Sequence, residues 1–172
     1  MASQGLSRVI LTVIGSDRPG LTAALATAVL DAGGNWLESH LARLAGRYVG
    51  SVLVEIAPDR LGALHRAVAD VDIKGLNVSL VDAGESIGEA GVPLTLKLVA
   101  QDRPGIVNEL AQALAPLKVN IESLETTVED GAWSGARLFR ADVAASLPAG
   151  VGAADVQAAL EDISAEIMVD LD

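Results

Sequence analysis

The tetrapeptide Asp-Arg-Pro-Gly occupies residues 17–20 and occurs again at residues 102–105. Each copy follows an apolar, strand-like run and precedes an apolar, helix-like run. An asparagine follows each copy at the same distance, as Asn35 and Asn120, so both features repeat with an offset of 85 residues. A fixed offset shared by a loop and a distant residue indicates a duplicated domain. The chain of 172 residues therefore divides into two small domains.

The hydrophobic pattern predicts the element order βαββαβ in each half. In the first half, a buried strand at residues 9–14 leads into a helix with Pro19 in its first turn, which ends before the glycine pair at residues 33–34. Alternating apolar residues predict further strands, and Pro58 opens the second helix. In the second half, we expect the third strand at residues 136–144 and a last strand marked by Ile167, Val169 and Leu171.

These patterns define the domain organisation. We assign the first domain to residues 1–84, a linker rich in Gly, Glu and Ala to residues 85–91, and the second domain to residues 92–172. The predicted class is α+β, with an antiparallel four-stranded sheet in each domain and the helices on one face.

Composition and charge exclude several function classes. The net charge of −11 argues against direct binding to nucleic acid, because phosphate contacts need clustered Lys and Arg. The chain has no cysteine, which excludes disulfides, thiolate zinc sites and a cysteine nucleophile. No apolar stretch approaches the ~18 residues that a membrane span needs, and no signal peptide is recognisable. We therefore expect a cytoplasmic protein that acts on a small molecule or another protein.

The loop that carries Asp17 has the chemistry of an amino-acid site. The backbone N–H groups of Gly20 and Leu21 lie at the start of the predicted helix, where they have no helical partner and where the helix dipole favours an anion. The carboxylate of Asp17 beside them suits an ammonium group, so the two together match an α-amino acid. The corresponding residues of the second copy are Asp102, Gly105 and Ile106.

The two asparagines lie at the far ends of the same helices. About 14 helical residues span ~21 Å, so Asp17 and Asn35 cannot touch one small ligand within a domain. We expect a shared site, in which Asp17 meets Asn120 or an Asn35 of another chain, and Asp102 meets Asn35 or another Asn120. In the alternative interpretation, both aspartates only cap helices and both asparagines only begin strands.

These motifs resemble those of a known family. The stretches at residues 13–20, 35–39, 41–46, 102–107 and 120–123 are similar to the ACT domain, and the resemblance covers nearly the whole chain as two tandem copies. It implies a ferredoxin-like βαββαβ fold that binds amino acids at domain interfaces, through the positions held here by Asp17, Asp102, Asn35 and Asn120. Some members carry a histidine two residues before the loop acid, where this chain has Gly15 and Ala100.

The two-domain layout resembles the subfamily of glycine cleavage system transcriptional repressors. That resemblance implies a protein that responds to glycine and represses transcription by contacting a DNA-binding activator of the LysR type. We also expect a homodimer with no cofactor and no metal. Two other hypotheses stay open. The chain can be a ligand-free interaction module that works through the uncharged helix at residues 21–30, or a regulator of a metabolic enzyme. We expect no catalytic activity, since no acid–base or nucleophile constellation is visible.

Overall fold

The computed structural model describes residues 5–72, 75–84, 91–131, 137–163 and 168–171. The chain divides into two compact units, Met1–Ser86 (unit 1) and Ile87–Asp172 (unit 2). The elements of unit 1 are β1 Ser7–Ser16, α1 Leu21–Asp31, β2 Asn35–Leu44, β3 Arg47–Ile56, α2 Leu61–Asp72 and β4 Leu76–Asp82. Those of unit 2 are β5 Val92–Gln101, α3 Ile106–Leu114, β6 Asn120–Asp130, β7 Arg137–Leu147, α4 Ala153–Glu161 and β8 Met168–Leu171.

Each unit contains one antiparallel sheet of four strands. The strand order is β2-β3-β1-β4 in unit 1 and β6-β7-β5-β8 in unit 2. Both units therefore have the βαββαβ order and the ferredoxin-like topology, which confirms the predicted α+β class.

The helices cover one face of each sheet because the strands alternate. In β1, Val9, Leu11 and Val13 are buried while their neighbours are partly or fully exposed. They join the buried residues of α1 and α2, such as Leu25 and Leu64, in one hydrophobic cluster. Unit 2 builds an equivalent cluster from its own strands and helices. Period-two burial in the strands and one apolar stripe per helix are what this two-layer packing requires.

The duplication extends to an irregularity in the edge strands. The register of β2 against β3 shifts between Trp36 and Glu38, and that of β6 against β7 shifts between Ile121 and Ser123. These bulges have the same offset of 85 residues and begin one residue after Asn35 and Asn120. Because β-bulges redirect side chains at sheet edges, the two asparagines share a local setting as well as a position in the sequence.

Several boundaries differ from the sequence predictions. Strand β1 runs from Ser7 to Ser16 and so extends beyond the predicted residues 9–14 at both ends. Helix α1 begins at Leu21 and not at Pro19, because Gly20 has a left-handed φ of 90° that interrupts helical geometry. Pro58 opens a single 3-10 turn, Pro58–Arg60, before α2 starts. The third strand of unit 2 continues to Leu147, whereas the predicted strand residues Ala136 and Ile167 lie outside the described residues.

Helix α1 is buried on one side only. Leu21, Leu25, Ala28 and Val29 face the core, whereas Leu30 is 73% exposed. The uncharged residues 21–30 of this helix therefore leave apolar atoms on the surface. In the described part of the chain, no helix has the length and hydrophobicity that crossing a membrane would need.

Candidate functional site

The loop after β1 holds Asp17 against the turn between β2 and β3. The backbone N–H of Asp17 donates to the Gly46 carbonyl over 3.4 Å, which fixes the loop beside the turn. The Nε of Arg43, near the end of β2, lies 2.9 Å from Oδ2 of Asp17. The Arg43 side chain is 72% exposed and that of Asp17 35%, so this ion pair is open to water on the arginine side.

The start of α1 is free of side-chain caps. Its N-cap residue is Gly20, and the first turn contains no acidic residue. Within residues 5–72 and 75–84, we find no acceptor for the backbone N–H groups of Leu21, Thr22 and Ala23, and Asp17 bonds to Arg43 rather than to the helix. The interpretation of Asp17 as a helix cap is therefore not supported. Unpaired N–H groups at a helix start favour an anion.

Two hydroxyl groups lie at the same end of unit 1. A hydrogen bond of 2.7 Å joins Oγ1 of Thr22 to the phenol oxygen of Tyr48. Tyr48 is the cross-strand partner of Arg43, and directly paired residues project from the same face of a sheet. The carboxylate of Asp17, the guanidinium of Arg43 and both hydroxyls thus lie around the start of α1.

The loop of unit 2 has the same plan with different contacts. The N–H of Asp102 donates to the Arg137 carbonyl over 2.8 Å, and Nη1 of Arg137 lies 3.6 Å from Oδ2 of Asp102. Helix α3 also starts after a left-handed glycine, Gly105, with φ of 92°. Arg43 lies on the second strand of its unit and Arg137 on the third, so the two ion pairs use different positions of the repeat.

Asn35 and Asn120 lie at the opposite end of each sheet from the aspartates. Asn35 and Arg8 both pair with Glu55, whereas Asp17 follows Ser16 at the other end of β1. The eight residue-to-residue steps from Arg8 to Ser16 correspond to about 26 Å of strand. In unit 2, Asn120 pairs with Ser146, the partner of Pro93, while Asp102 follows Gln101. Each unit therefore brings its loop residues together and keeps its asparagine away from them.

The backbone explains why residue 15 is a glycine. A Cβ at Gly15 would lie 2.3 Å from the Gly75 carbonyl oxygen and 2.9 Å from the Leu76 Cα, both backbone atoms. No histidine fits there without moving the start of β4. In unit 2 the same position holds Ala100, which is 6% exposed. The imidazole found at this position in some amino-acid-binding relatives therefore has no counterpart in unit 1.

Sequence reasoning missed the arginines and hydroxyls that surround the loops. Arg43, Tyr48 and Arg137 belong to hairpins that are distant in sequence from the aspartates. The sequence did contain a usable signal. In an antiparallel sheet in which β3 pairs with β1, the turn between β2 and β3 lies beside the end of β1, so a charged residue next to that turn lies near the loop.

Among the described residues, no group of three or more His, Cys, Asp or Glu side chains is arranged to hold a metal ion.

Comparison with known proteins agrees with this architecture. Residues 7–74 match the family model of the ACT domain. The fold is similar to that of an unknown protein from Galdieria sulphuraria, with 25% identity, a TM-score of 0.79, and coverage of 97% of this chain and 98% of the other. It is also similar to a candidate glycine cleavage system transcriptional repressor, with 15% identity, a TM-score of 0.71, and coverage of 97% and 96%.

No curated protein sequence matches the chain. The ACT domain is a regulatory, amino-acid-binding fold. Unit 1 therefore contains an ACT domain, and the chain over its length has the tandem ACT fold.

Proposed function

We propose that this chain is a glycine-responsive regulatory protein that represses transcription of the glycine cleavage system through a DNA-binding activator of the LysR type. The observation that carries the proposal is the carboxylate of Asp17 beside an uncapped helix start in an ACT domain. The tandem layout, shared over nearly the full length with the candidate glycine cleavage repressor, supports the choice of pathway.

The chemistry of the loop fits both charged groups of an amino acid. The ammonium group pairs with Asp17 in place of Arg43, whose exposed side chain can turn away into water. The carboxylate accepts hydrogen bonds from the N–H groups at the start of α1, where the helix dipole adds to the attraction. Thr22 and Tyr48 place two hydroxyl groups at the same end, and since one donates to the other, one O–H remains to donate to a ligand.

The charge of the chain requires an intermediary between the ligand and DNA. At −11, the protein repels nucleic acid, so its effect on transcription has to pass through a protein partner. Regulation then requires that the ligand and the partner favour different states of the chain, and the coupling between the two binding events is reciprocal.

A thermal-shift screen against the twenty amino acids tests the proposal. Glycine at about 100 times its dissociation constant should stabilise the fold by ~2.7 kcal/mol, which raises the midpoint by several degrees. Glycinamide and acetate serve as controls, because each carries one of the two charged groups of glycine and should give a much smaller shift. If no amino acid shifts the midpoint of a cooperatively folded sample, the sensor proposal fails and the ligand-free interaction module takes its place.

The separation of Asp17 from Asn35 bears on assembly. A ligand that touches both residue types needs an asparagine from another domain, since about 26 Å of strand lies between them in unit 1. We assign that asparagine to a second copy of the chain, so that Asp17 of one chain and Asn35 of the other share each ligand in a homodimer.

Mixing two inactive variants tests the shared site. Asp17→Ala and Asn35→Ala should each lose glycine binding, and chains mixed after unfolding and refolding should recover part of it. The mixed dimer contains one site with both residues intact and one site with neither. Calorimetry on the mixture measures the recovery, and a mixture of Asp17→Ala with itself is the control. A mixture that binds no better than its components contradicts a site shared between chains.

A further inference from the structure

The two loops differ in one contact that bears on how many ligands the chain binds. Arg103, in the loop of unit 2, donates two hydrogen bonds of 2.5 Å to the carboxylate of Glu109 in the first turn of α3. An Oε1 of Glu109 lies 4.0 Å from the point where a Cβ on Gly105 would stand. A carboxylate of the chain itself therefore lies close to the N-terminal turn of α3 and holds the loop arginine.

Unit 1 lacks this contact although its backbone is equivalent. Ala24 and Glu109 occupy the same place in their helices, since each donates its N–H to the carbonyl of the N-cap glycine. Alanine at residue 24 leaves the first turn of α1 without an acid. The guanidinium of Arg18 lies against Gly75 instead, and among the described residues no acid forms an ion pair with it.

The charges around the two loops therefore differ. In unit 1, Asp17 is paired with Arg43, and no acid of the described residues compensates the charge of Arg18. In unit 2, Asp102 is paired with Arg137 and Arg103 with Glu109, so that the positive charges are matched. A ligand carboxylate is therefore attracted more strongly to the first loop than to the second, where Glu109 already holds the loop arginine.

One more difference between the two loops, and the electrostatics of Glu109, agree with this comparison. Residue 107, which corresponds to Thr22, is a valine and offers no hydroxyl to a ligand. The hydrogen bonds from Arg103 hold the pKa of Glu109 below its ordinary value; loss of hydration opposes this effect, and Coulomb attraction to Arg103 adds to it. Glu109 is therefore ionised at neutral pH, and its ion pair with Arg103 is present under the conditions of any binding experiment.

We propose that unit 1 is the ligand-responsive half of the chain and that the Arg103–Glu109 ion pair keeps the loop of unit 2 from binding an amino acid. This inference rests on the proposed function, because it assigns the amino-acid site to one of the two loops. Glu109 acts as an internal carboxylate that competes with the carboxylate of the ligand. Alanine at residue 24 supplies no such carboxylate, so the loop of unit 1 can bind the ligand.

A reciprocal exchange of residues 24 and 109 tests the proposal by calorimetry with glycine. The wild-type chain should bind one glycine, and Glu109→Ala should raise the number toward two. Ala24→Glu should place an acid beside Arg18 and lower the affinity of unit 1 at least tenfold. Gln112→Ala, an exposed change on the same helix as Glu109, and Ala24→Gln, which has the size of glutamate without its charge, are the matched controls.

The outcomes separate this inference from the proposed function. Two equal sites in the wild-type chain, or unchanged binding in a folded Ala24→Glu variant, overturn the assignment to unit 1 and leave the sensor intact. A single site in Glu109→Ala overturns the role of the ion pair. If neither the wild-type chain nor Glu109→Ala binds any amino acid, the proposed function falls and the inference falls with it.

Discussion

Replacement of Gly50 with alanine is expected to unfold unit 1. Gly50 lies in β3 opposite Leu41 with a φ of 150°, and a Cβ there would stand 1.9 Å from the His40 carbonyl oxygen. The contact is with backbone, so no rotation of a side chain relieves it. Overpacking costs ~1–3 kcal/mol and the unfavourable φ a similar amount, about 4 kcal/mol together. That is a large part of the stability of a small domain.

The loss can be measured through one tryptophan. Trp36 packs against the core of unit 1, and a Trp133→Phe background leaves it as the only indole in the chain. Urea unfolding followed by its fluorescence should show no native baseline, or a midpoint far below that of the background. Gly46→Ala is the matched control, since Gly46 also has a positive φ, of 76°, but no atom lies within 4 Å of its Cβ position. Equal midpoints for the two variants would contradict the steric argument.

The fold was predictable because its signals are local and occur twice. The alternating apolar pattern of β1 and β5 and the glycine pair after α1 can each be read from the residues of one or two elements. The offset of 85 residues shows that the same signals occur in both halves. Boundaries were less predictable where a single backbone angle decides them. Pro19 has the φ of a helical first turn, but the left-handed Gly20 after it delays the helix to Leu21. No periodicity reveals that angle.

The candidate site was predictable only in part. The aspartates and the helix starts follow from the order strand, loop, helix, and that order is written in the sequence. Arg43 lies on β2, whose side chains are mostly exposed, and Arg137 is the exposed first residue of β7, so burial patterns do not indicate that either residue faces a loop. Arg43 and Arg137 therefore became visible only when the register of each hairpin was known. Glu109 was hidden because a surface acid in a helix usually only faces water.

Replacement of Asp17 with alanine is expected to weaken glycine binding by tenfold or more without unfolding the chain. A hydrogen bond to a charged group contributes ~1.5–3 kcal/mol, and the ammonium group of the ligand has no other carboxylate in this loop. The exposed ion pair that is lost with the carboxylate is worth only ~0–1 kcal/mol to the fold. Calorimetry gives the affinity, and urea unfolding of the same sample shows that the variant is folded.

Two further variants decide what the Asp17 result means. Arg43→Ala breaks the same ion pair but keeps the carboxylate, so binding should be retained or strengthened, because the ammonium group no longer competes with a guanidinium. Asp102→Ala removes the corresponding acid of unit 2 and should leave the affinity for glycine within about twofold of the wild-type value, well below the tenfold change that 1.4 kcal/mol represents.

If Arg43→Ala loses binding as Asp17→Ala does, the guanidinium is itself a ligand contact and Asp17 only positions it. If a folded Asp17→Ala variant binds as the wild type does, the amino-acid site lies elsewhere in the chain.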